Sequence, residues 1–473
     1  MKTIRKTPYT HRLLARIVIE ASTPLSIGTG TESIITDSLV ALDVNGLPFI
    51  PATALAGVFR HLLSNEDSNK IFGYQVTDKT NDGKGSRIIF TSAQLVGKNK
   101  KVIDGIENID FNDPFYHHFL YLPIRQHVRI NDRGTAEKGG KYDEQIIFKG
   151  TRFCFEIEII GTKDEIVEFN RIKELLQTKT FRIGSGTRNG FGEISIIQYQ
   201  EKSLDLSNPT DLEAYLHKSS DLSDDSFWQQ CPSTSLAQTE HSGWTFYEIE
   251  LMPKDFFLFG SGHGNDIADI SPVTSTIITS WDKEEAEFKE QCILLPGTSV
   301  KGALSHRIAF HYNIRKKIFA DKLSEKEYEK YVGDNNIAVK KLFGSRTNFS
   351  KKEDVGSRGN VLFSDIILSD EPAAAKLLNH VAIDRFTGGN MNGALFHEQV
   401  NRKTVSPFTL NLLVHNTAFA DSDVEYAFET ALRDLCSGLL PLGGGNNRGH
   451  GCFNGTIKKN NQLTVSYTHL RAH

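Results

Sequence analysis

The chain has 473 residues, 39% hydrophobic, 24% charged and 10% aromatic, with 30 Phe against 3 Met. That length suits roughly two to four domains, and the apolar content can build more than one core, which excludes wholesale disorder. Lys and Arg number 54 against 58 Asp and Glu, a net charge of −4 that excludes a polycation but leaves room for a local basic groove. Five cysteines (Cys154, Cys231, Cys292, Cys436, Cys452) without CxxC spacing exclude a disulfide scaffold or zinc ribbon. No apolar run nears the roughly 18 residues of a spanning helix, and MKTIRKTPYTHRLLARIVIE has no signal-peptide core. A cytoplasmic protein without a membrane partner is expected.

In chain order, LLARIVIEA (13–21) is β-branched and strand-like. Thr53 is expected to cap a helix that carries Leu55, Val58, Phe59 and Leu62 on one face. RIIFTSA (87–93) and RFCFEIEII (152–160) read as strands, and DEIVEFNRIKELLQ (164–177) as a helix with Ile166, Phe169, Ile172 and Leu176 aligned. A glycine loop and FGEISII (191–197) close the unit. After the Ser/Asp-rich stretch 203–243, read as a linker, the pattern returns: TFYEIELM (245–252), a helix from Thr298, VLFSDIIL (361–368), FTLNLLVH (408–415), the helix DVEYAFETALRDLC (423–436), a loop and a strand.

Short signals recur in the same order in both halves. IGTG (27–30) answers to FGSGHG (259–264), PATALAGVFRH (51–61) to PGTSVKGALSH (296–306), IFG (71–73) to LFGS (342–345), and SRIIFTSAQL (86–95) to GNVLFSDIIL (359–368). HVRIND (127–132) answers to HVAIDR (380–385), and IGSGTRNGFGEISI (183–196) to LGGGNNRGHGCFNGTI (442–457). The chain is therefore written twice. Each half has the order βαββαβ, which predicts an α+β fold of two tandem ferredoxin-like domains of the RNA-recognition-motif type, 1–202 and 244–460. β-rich insertions at about 96–150 and 369–404 are candidate thumbs. Residues 461–473 are read as a disordered or expression-derived tail.

GSGTRNGFG (184–192) and GGGNNRGHG (443–451) admit positive φ, so backbone N–H groups at Gly186, Gly444 and Gly445 can approach a phosphate, with Arg188 and Arg448 as bidentate donors. A tight helix-to-strand turn is the alternative. GxxxxGK[ST] is absent, which disfavours NTP hydrolysis. Glycine inside a helix costs about 1 kcal/mol against alanine. Gly57 and Gly302 would be explained by another backbone approaching a helix N-terminus, where amide dipoles attract phosphate, or by helix–sheet packing around a small residue. Thr53, Arg60, Gly297, Thr298, Ser299, Lys301 and Arg307 belong to the same two openings.

PGTSVKGAL resembles the signature of the RAMP superfamily of CRISPR-associated proteins, usually a Pro-Gly-Ser-Ser-Leu-Lys-Gly run, and both glycine loops resemble that superfamily's C-terminal glycine-rich loop. ITDSLVALDVNGLPFIPATALAGVFRHLL (35–63) is similar, element by element, to the backbone subunit of type III effector complexes. The likeness spans essentially the whole chain, one domain per half, and is similar to the tandem fusions of type III-D effectors. It implies a subunit that coats a CRISPR guide RNA, kinks it with thumb insertions, and cleaves complementary target RNA with a loop Asp and a divalent cation, Mg²⁺. The implied partners are guide RNA, target RNA, a large polymerase/cyclase-like subunit, a small subunit and further backbone subunits.

On the first domain the implied catalytic Asp is Asp37, also a candidate Mg²⁺ ligand, with Asp43 nearer the turn. A carboxylate there can orient a hydrated cation or help activate a ribose 2′-OH. On the second, alignment on the shared glycine places Asp269 opposite Asp37. Alignment on the family's Asp-Ser-Pro-Val pattern places Ile270 there, and Asp266 is within loop reach. The first domain departs from the signature, with Ala52 and Ala56 where the second has Gly297 and Lys301.

The thumb candidates 127–148 (Arg129, Arg133, Lys138, Lys141) and 380–400 (Arg385, Phe386, Met391, Phe396) mix basic and apolar residues, as suits a wedge that meets phosphates and unstacks a base. The alternative is an ordinary solvated hairpin. His127 and His380 open both stretches and are counted among the RNA contacts. Two other functions compete: a non-catalytic RNA coat, and a guide-processing endoribonuclease for which His11 is the candidate. The basic residues are expected to converge near Arg188 and Arg448, away from the acidic stretch 203–226.

Overall fold

Along Trp244–Pro253 every second side chain is buried, the period-2 pattern of a strand with one face on a core. The computed structural model describes residues 9–31, 36–76, 83–237, 239, 242–281, 286–345, 356–372, 375–402, 404 and 406–466. The first sheet holds β1 (His11–Ala21), β2 (Ile88–Phe90), β5 (Arg152–Gly161) and β6 (Ile194–Asp205), antiparallel in the order β2-β5-β1-β6. Helices α1 (Ala52–Leu62) and α2 (Ile166–Leu176) cover one face, burying Leu55, Phe59, Phe169 and Ile172 against Ile17, Ile19, Phe155 and Ile157. Between β2 and β5 stands a hairpin of β3 (Ile124–Ile130) and β4 (Ala136–Gln145).

The second half repeats this with β7 (Trp244–Pro253), β10 (Val361–Leu362), β14 (Phe408–His415) and β15 (Phe453–Lys459), in the order β10-β14-β7-β15. Helices α3 (Gly297–Arg315) and α4 (Ser422–Ser437) cover it, and its hairpin is β12 (Ala375–His380) with β13 (Phe396–Asn401). Both halves are thus ferredoxin-like sandwiches, as the αβ order predicts. The five cysteines are free, and among the described residues no helix is long and apolar enough to cross a membrane.

Several expectations fail locally. Thr53 is exposed and caps nothing; Pro51 is the N-cap of α1 and Pro296 that of α3, neither with a side-chain cap. Among its described residues, the stretch 203–243 is not a loose linker. β6 runs to Asp205, a helix spans Pro209–His217, and Trp228 and Cys231 bury themselves on the outer face of the first sheet against Leu14 and Leu204. This strap closes on the buried carboxylate of Glu156, which accepts from Trp228 Nε1 (2.6 Å) and Arg16 Nη1 (3.0 Å) and pairs with Lys218 (2.5 Å). The segment from 461 also begins as structure: β16 (Gln462–Ser466) extends the second sheet beside β15, and 467–473 lie outside the described residues.

VLFSDIIL is two strands, not one. After Leu362 the chain leaves the second sheet and re-enters at β11 (Ile366–Pro372) a separate sheet with β8 (Thr274–Ser280) and β9 (Glu287–Leu295). This third sheet belongs to the second half in sequence but packs into the first core. Phe288 stacks on His118 (centroids 3.9 Å apart), Trp281 Nε1 donates to Gly150 O (2.8 Å), and the Arg152 guanidinium lies 4.9 Å from the Trp281 ring.

The residue at the break, Asp365, ties the halves together. Its buried carboxylate accepts from the Gly297 N–H at the start of α3 (2.8 Å) and pairs with Arg125 of β3 (3.0 Å), while its own N–H donates to Gly190 O (2.9 Å). Gly190 has φ +118, and a Cβ there would collide with the Asp365 carboxylate; a Cβ on Gly297 would lie 3.0 Å from Gly190 Cα. The glycine loop of the first half is therefore seated on the helix opening of the second. Asp365→Ala strands a buried Arg125 and uncaps α3, so it should cost about 3–5 kcal/mol. Chemical denaturation followed by Trp fluorescence checks this, with Trp228→Ala expected to cost a similar amount by opening a cavity.

Candidate nucleic-acid interface

The two glycine loops share one backbone path. Gly186 and Gly445 have φ 65 and 72, and a Cβ on either would strike the ring five residues on, Phe191 or His450. Gly190 and Gly449 correspond in the same frame, φ 118 and 87. That register sets Arg448 opposite Asn189, not opposite Arg188, so the two loop arginines are not equivalent. Arg188 donates from Nε to Gly359 O across the seam. Arg448 instead pairs with Glu398 of β13 (2.5 Å). Gly444 is exposed, its N–H donating to Leu258 O (2.7 Å).

At the helix openings, Thr53, Gly57 and Arg60 lie on one exposed face of α1, and nothing stands within 4 Å of a Cβ placed on Gly57 or Gly302. Neither glycine is explained by packing within the chain. The N-terminus of α3 is already taken, since Gly297 gives its N–H to Asp365 and Lys301 Nζ reaches Asn189 Oδ1 (2.9 Å). Thr298 and Ser299 remain on the wall of the groove. Arg307 is a structural residue: its Nε donates to Asp434 of α4 (2.5 Å), which also accepts from His311 (2.6 Å).

Each hairpin is rooted by a histidine–glutamate pair that the sequence reading missed. His127 is buried, 3.0 Å from Glu144 and stacked on Tyr142; His380 lies 2.9 Å from the fully buried Glu398 and stacks on Phe396. His127 is therefore held in the packing at the hairpin root, and His380 is tied up in the same way. The signal was present in sequence as the repeated Glu-Gln of YDEQ (142–145) and FHEQ (396–399). Burial raises the Glu144 carboxyl, but hydrogen bonds from His127, Ser26 and Ser185 outweigh it and hold the group below the usual carboxylate range. Arg129 is spent on Glu137 (3.0 Å) and Asp334 (2.8 Å), and Arg385 stands exposed at the second hairpin's tip.

The aspartates sit beside these roots. Asp37 Oδ2 accepts the Asp143 N–H (3.0 Å), Asp143 Oδ1 accepts the Asp37 N–H (2.9 Å), and Gln145 N donates to Ser38 O. In the second half, Asp269 Oδ2 accepts the His397 N–H (2.7 Å), Asp269 N donates to His397 O, and Gln399 N donates to Ile270 O. Asp269 thus occupies the place of Asp37, and Ile270 that of Ser38. Asp266 is on the exposed turn Asn265–Ala268, off this frame. Asp43 closes its own turn through the N–H groups of Asn45 and Leu47. Among the described residues, no group of three His, Cys, Asp or Glu gathers to hold a metal ion.

A groove of about 2300 Å³ runs between the first hairpin, the opening of α3 and the second glycine loop. Its charge is not a bare basic patch, because carboxylates neutralise Arg129 and Arg448. The uncompensated cations lie at the seam: no carboxylate among the described residues forms an ion pair with Arg188, Lys301 or Arg358. Burial, then Arg358 and Arg182, push Arg188 down to about 10. Burial, then Arg188, push Lys301 down to about 8 from 10.5, against the pull of Asp334. An anion entering here meets charge that the fold itself leaves unsatisfied.

The Lys301 shift has a testable sign. The unfolded chain keeps this proton to about 10.5 and the folded chain only to about 8, so stability rises as pH climbs through that window. Lys301→Met is expected to be more stable than wild type below pH 8, the difference shrinking toward pH 10.5. Denaturation midpoints across that range check it.

A comparison with curated proteins finds no match. Among solved structures, one titled "Type III-B Cmr-beta Cryo-EM structure of the Apo state" contains a similar chain, 16% identical with a TM-score of 0.30, the alignment covering 39% of this chain and 97% of that one. The model of the RAMP superfamily matches twice, over residues 18–195 and 258–454, one match in each sandwich. With both halves matched in tandem, the chain belongs to the RAMP superfamily.

Proposed function

We propose that this chain is a guide-RNA-binding backbone subunit of a type III CRISPR effector complex and that it cleaves complementary target RNA at Asp37 and Asp269. One observation carries the reading. In both halves an exposed aspartate carboxylate accepts a backbone N–H from the root of a hairpin, at the same place in the repeat. Base pairing with the guide would choose the target, while the protein holds backbone and shape.

In the proposed reaction the aspartate orients the linkage and helps draw the proton from the ribose 2′-OH, whose oxygen attacks the adjacent phosphorus as the 5′-oxygen leaves. Each aspartate has one oxygen engaged by a backbone N–H, which fixes its aim, and among the described residues no donor is seen on the other. Asp37 and Asp269 would be the residues to hold a divalent cation such as Mg²⁺, which would supply charge neutralisation. Asp266, outside the repeated frame, is not assigned a role in this chemistry.

The guide-processing alternative is disfavoured by position. His11 begins β1, 3.8 Å from Asp205, at the end of that strand away from the chain leading into the Asp37 loop. The non-catalytic coat remains the rival, and single-turnover cleavage in the assembled complex separates the two. Asp37→Ala should slow scission about 100-fold or more at one set of positions and Asp269→Ala at an alternate set, with guide RNA content unchanged. Unaltered cutting in both variants would leave a coat protein only.

A further inference from the structure

The turn 261–264 of the second half reaches across to the first hairpin. Gly262 has φ +92, and a Cβ placed on it would lie 3.0 Å from Gln126 Oε1 of β3. Gln126 stands directly opposite Asp143 of β4, so both side chains share one face of the hairpin. Side chains paired in this way have Cβ atoms about 5 Å apart. Asp143 is the residue that exchanges hydrogen bonds with Asp37. The next residue of the turn, His263, therefore enters the Asp37 site from the other half of the chain, and it lines the groove together with Asp143.

The backbone of His263 is held from three directions while its ring is left open. Its N–H donates to Ser261 Oγ (3.3 Å), and its carbonyl accepts from Ser261 Oγ (2.6 Å) and Ser271 Oγ (3.0 Å). The residue is exposed, and among the described residues no group bonds to the imidazole. Other bases on the groove wall are committed elsewhere. His127 turns to the buried face of the hairpin and onto Glu144, and Lys301 is held by Asn189.

From this placement we infer that His263 is the general acid of the Asp37 centre, so that one active site is assembled from both halves of the chain. The inference rests on the RNA-cleaving reading and adds the proton donor which that chemistry requires. Asp37 takes the proton of the ribose 2′-OH as its oxygen bonds to phosphorus. The bond from phosphorus to the 5′-oxygen breaks, and its electron pair takes a proton from the His263 imidazolium. A 2′,3′-cyclic phosphate and a 5′-hydroxyl leave, and both side chains exchange protons with water to restore their starting forms. Imidazole is the side chain suited to this exchange near neutral pH, and a positioned proton donor contributes about 10²–10⁴-fold.

The repeat gives the first half no counterpart. Thr31 stands where the second half has His263, and its hydroxyl is bonded to that of Thr29. At the Asp269 centre, His397 takes the place of Asp143 and Asn379 that of Gln126, with His397 Nδ1 2.8 Å from Asn379 Oδ1. An imidazole thus stands beside Asp269 on its own hairpin. Asp37 has an aspartate there and draws its imidazole from the second half.

Single-turnover scission in the assembled complex tests this with two targets. One is ordinary RNA; the other carries sulfur in place of the bridging 5′-oxygen at the Asp37-dependent linkage. A thiolate leaves without a proton, so the second target needs no general acid. His263→Ala and His263→Gln are expected to slow scission of ordinary RNA about 100-fold at the positions that Asp37→Ala affects, and to cut the sulfur linkage at the wild-type rate. Asp37→Ala is expected to stay slow on both targets, and cutting at the Asp269 positions reports that each variant is folded and assembled. Wild-type rates on ordinary RNA in the His263 variants overturn the inference, as does equal slowing on both targets, which marks a merely structural role. Absence of scission at these positions in the wild-type complex instead sinks the cleavage reading itself, and the assignment with it.

Discussion

One buried carboxylate fixes the relation between everything functional in this molecule. Asp365 caps α3 through Gly297, pairs with Arg125 at the root of the first hairpin, and receives the first glycine loop on its own backbone. A carboxylate at a helix N-terminus meets both unsatisfied N–H groups and the positive end of the helix dipole, and the guanidinium completes its desolvated shell. Three elements from two domains therefore share one anchor. The groove exists because that anchor holds the first hairpin over the second domain's helix, and the strand break at 363–365 exists because Asp365 must turn out of the sheet to reach the seam.

The same anchor explains the economy of charge. A chain with net charge −4 could hold a polyanion by displaying arginines, yet Arg129, Arg307 and Arg448 are each spent on a carboxylate. Among the cations that form no ion pair with a described carboxylate, Arg188, Lys301 and Arg358 are the ones the seam itself crowds together. Their mutual repulsion is a cost of folding that a phosphate would relieve, so local placement outweighs the total. Counting basic residues along the sequence located none of this, because the count cannot say which cations are already paired.

What was legible in the sequence was what depends on local periodicity. The alternation of 245–252 and the stripe of 423–436 predict elements that the structure has within a residue or two, and the glycine loops stood out because positive φ forces the residue type. What was hidden depended on distant partners. Trp228 in a Ser/Asp-rich stretch reads as linker until Glu156, on another strand, is seen to receive its indole N–H. VLFSDIIL reads as one strand because nothing local says that Asp365 serves a helix 68 residues away. His127 and His380 looked like surface cations because Glu144 and Glu398 lie across a hairpin from them, 17 and 18 residues on.

Comparison of the two copies separates what the fold requires from what each half has been free to change. Both keep the aspartate bound to the hairpin backbone, the glutamate beneath it, the histidine on that glutamate and an aromatic ring on the histidine. The remaining neighbours of the glutamate differ: Ser26 and Ser185 in the first half, Arg448 and His450 in the second. Hydroxyl donors lie beside Glu144, whereas Glu398, with no exposure at all, takes the Arg448 guanidinium. A buried carboxylate can be satisfied either way, provided every oxygen has a donor. The constant element is therefore the link from hairpin to glycine loop through that carboxylate, with the aspartate one residue away on the same strand pairing. The two copies share the geometry that holds the carboxylate and differ in the chemistry of its support.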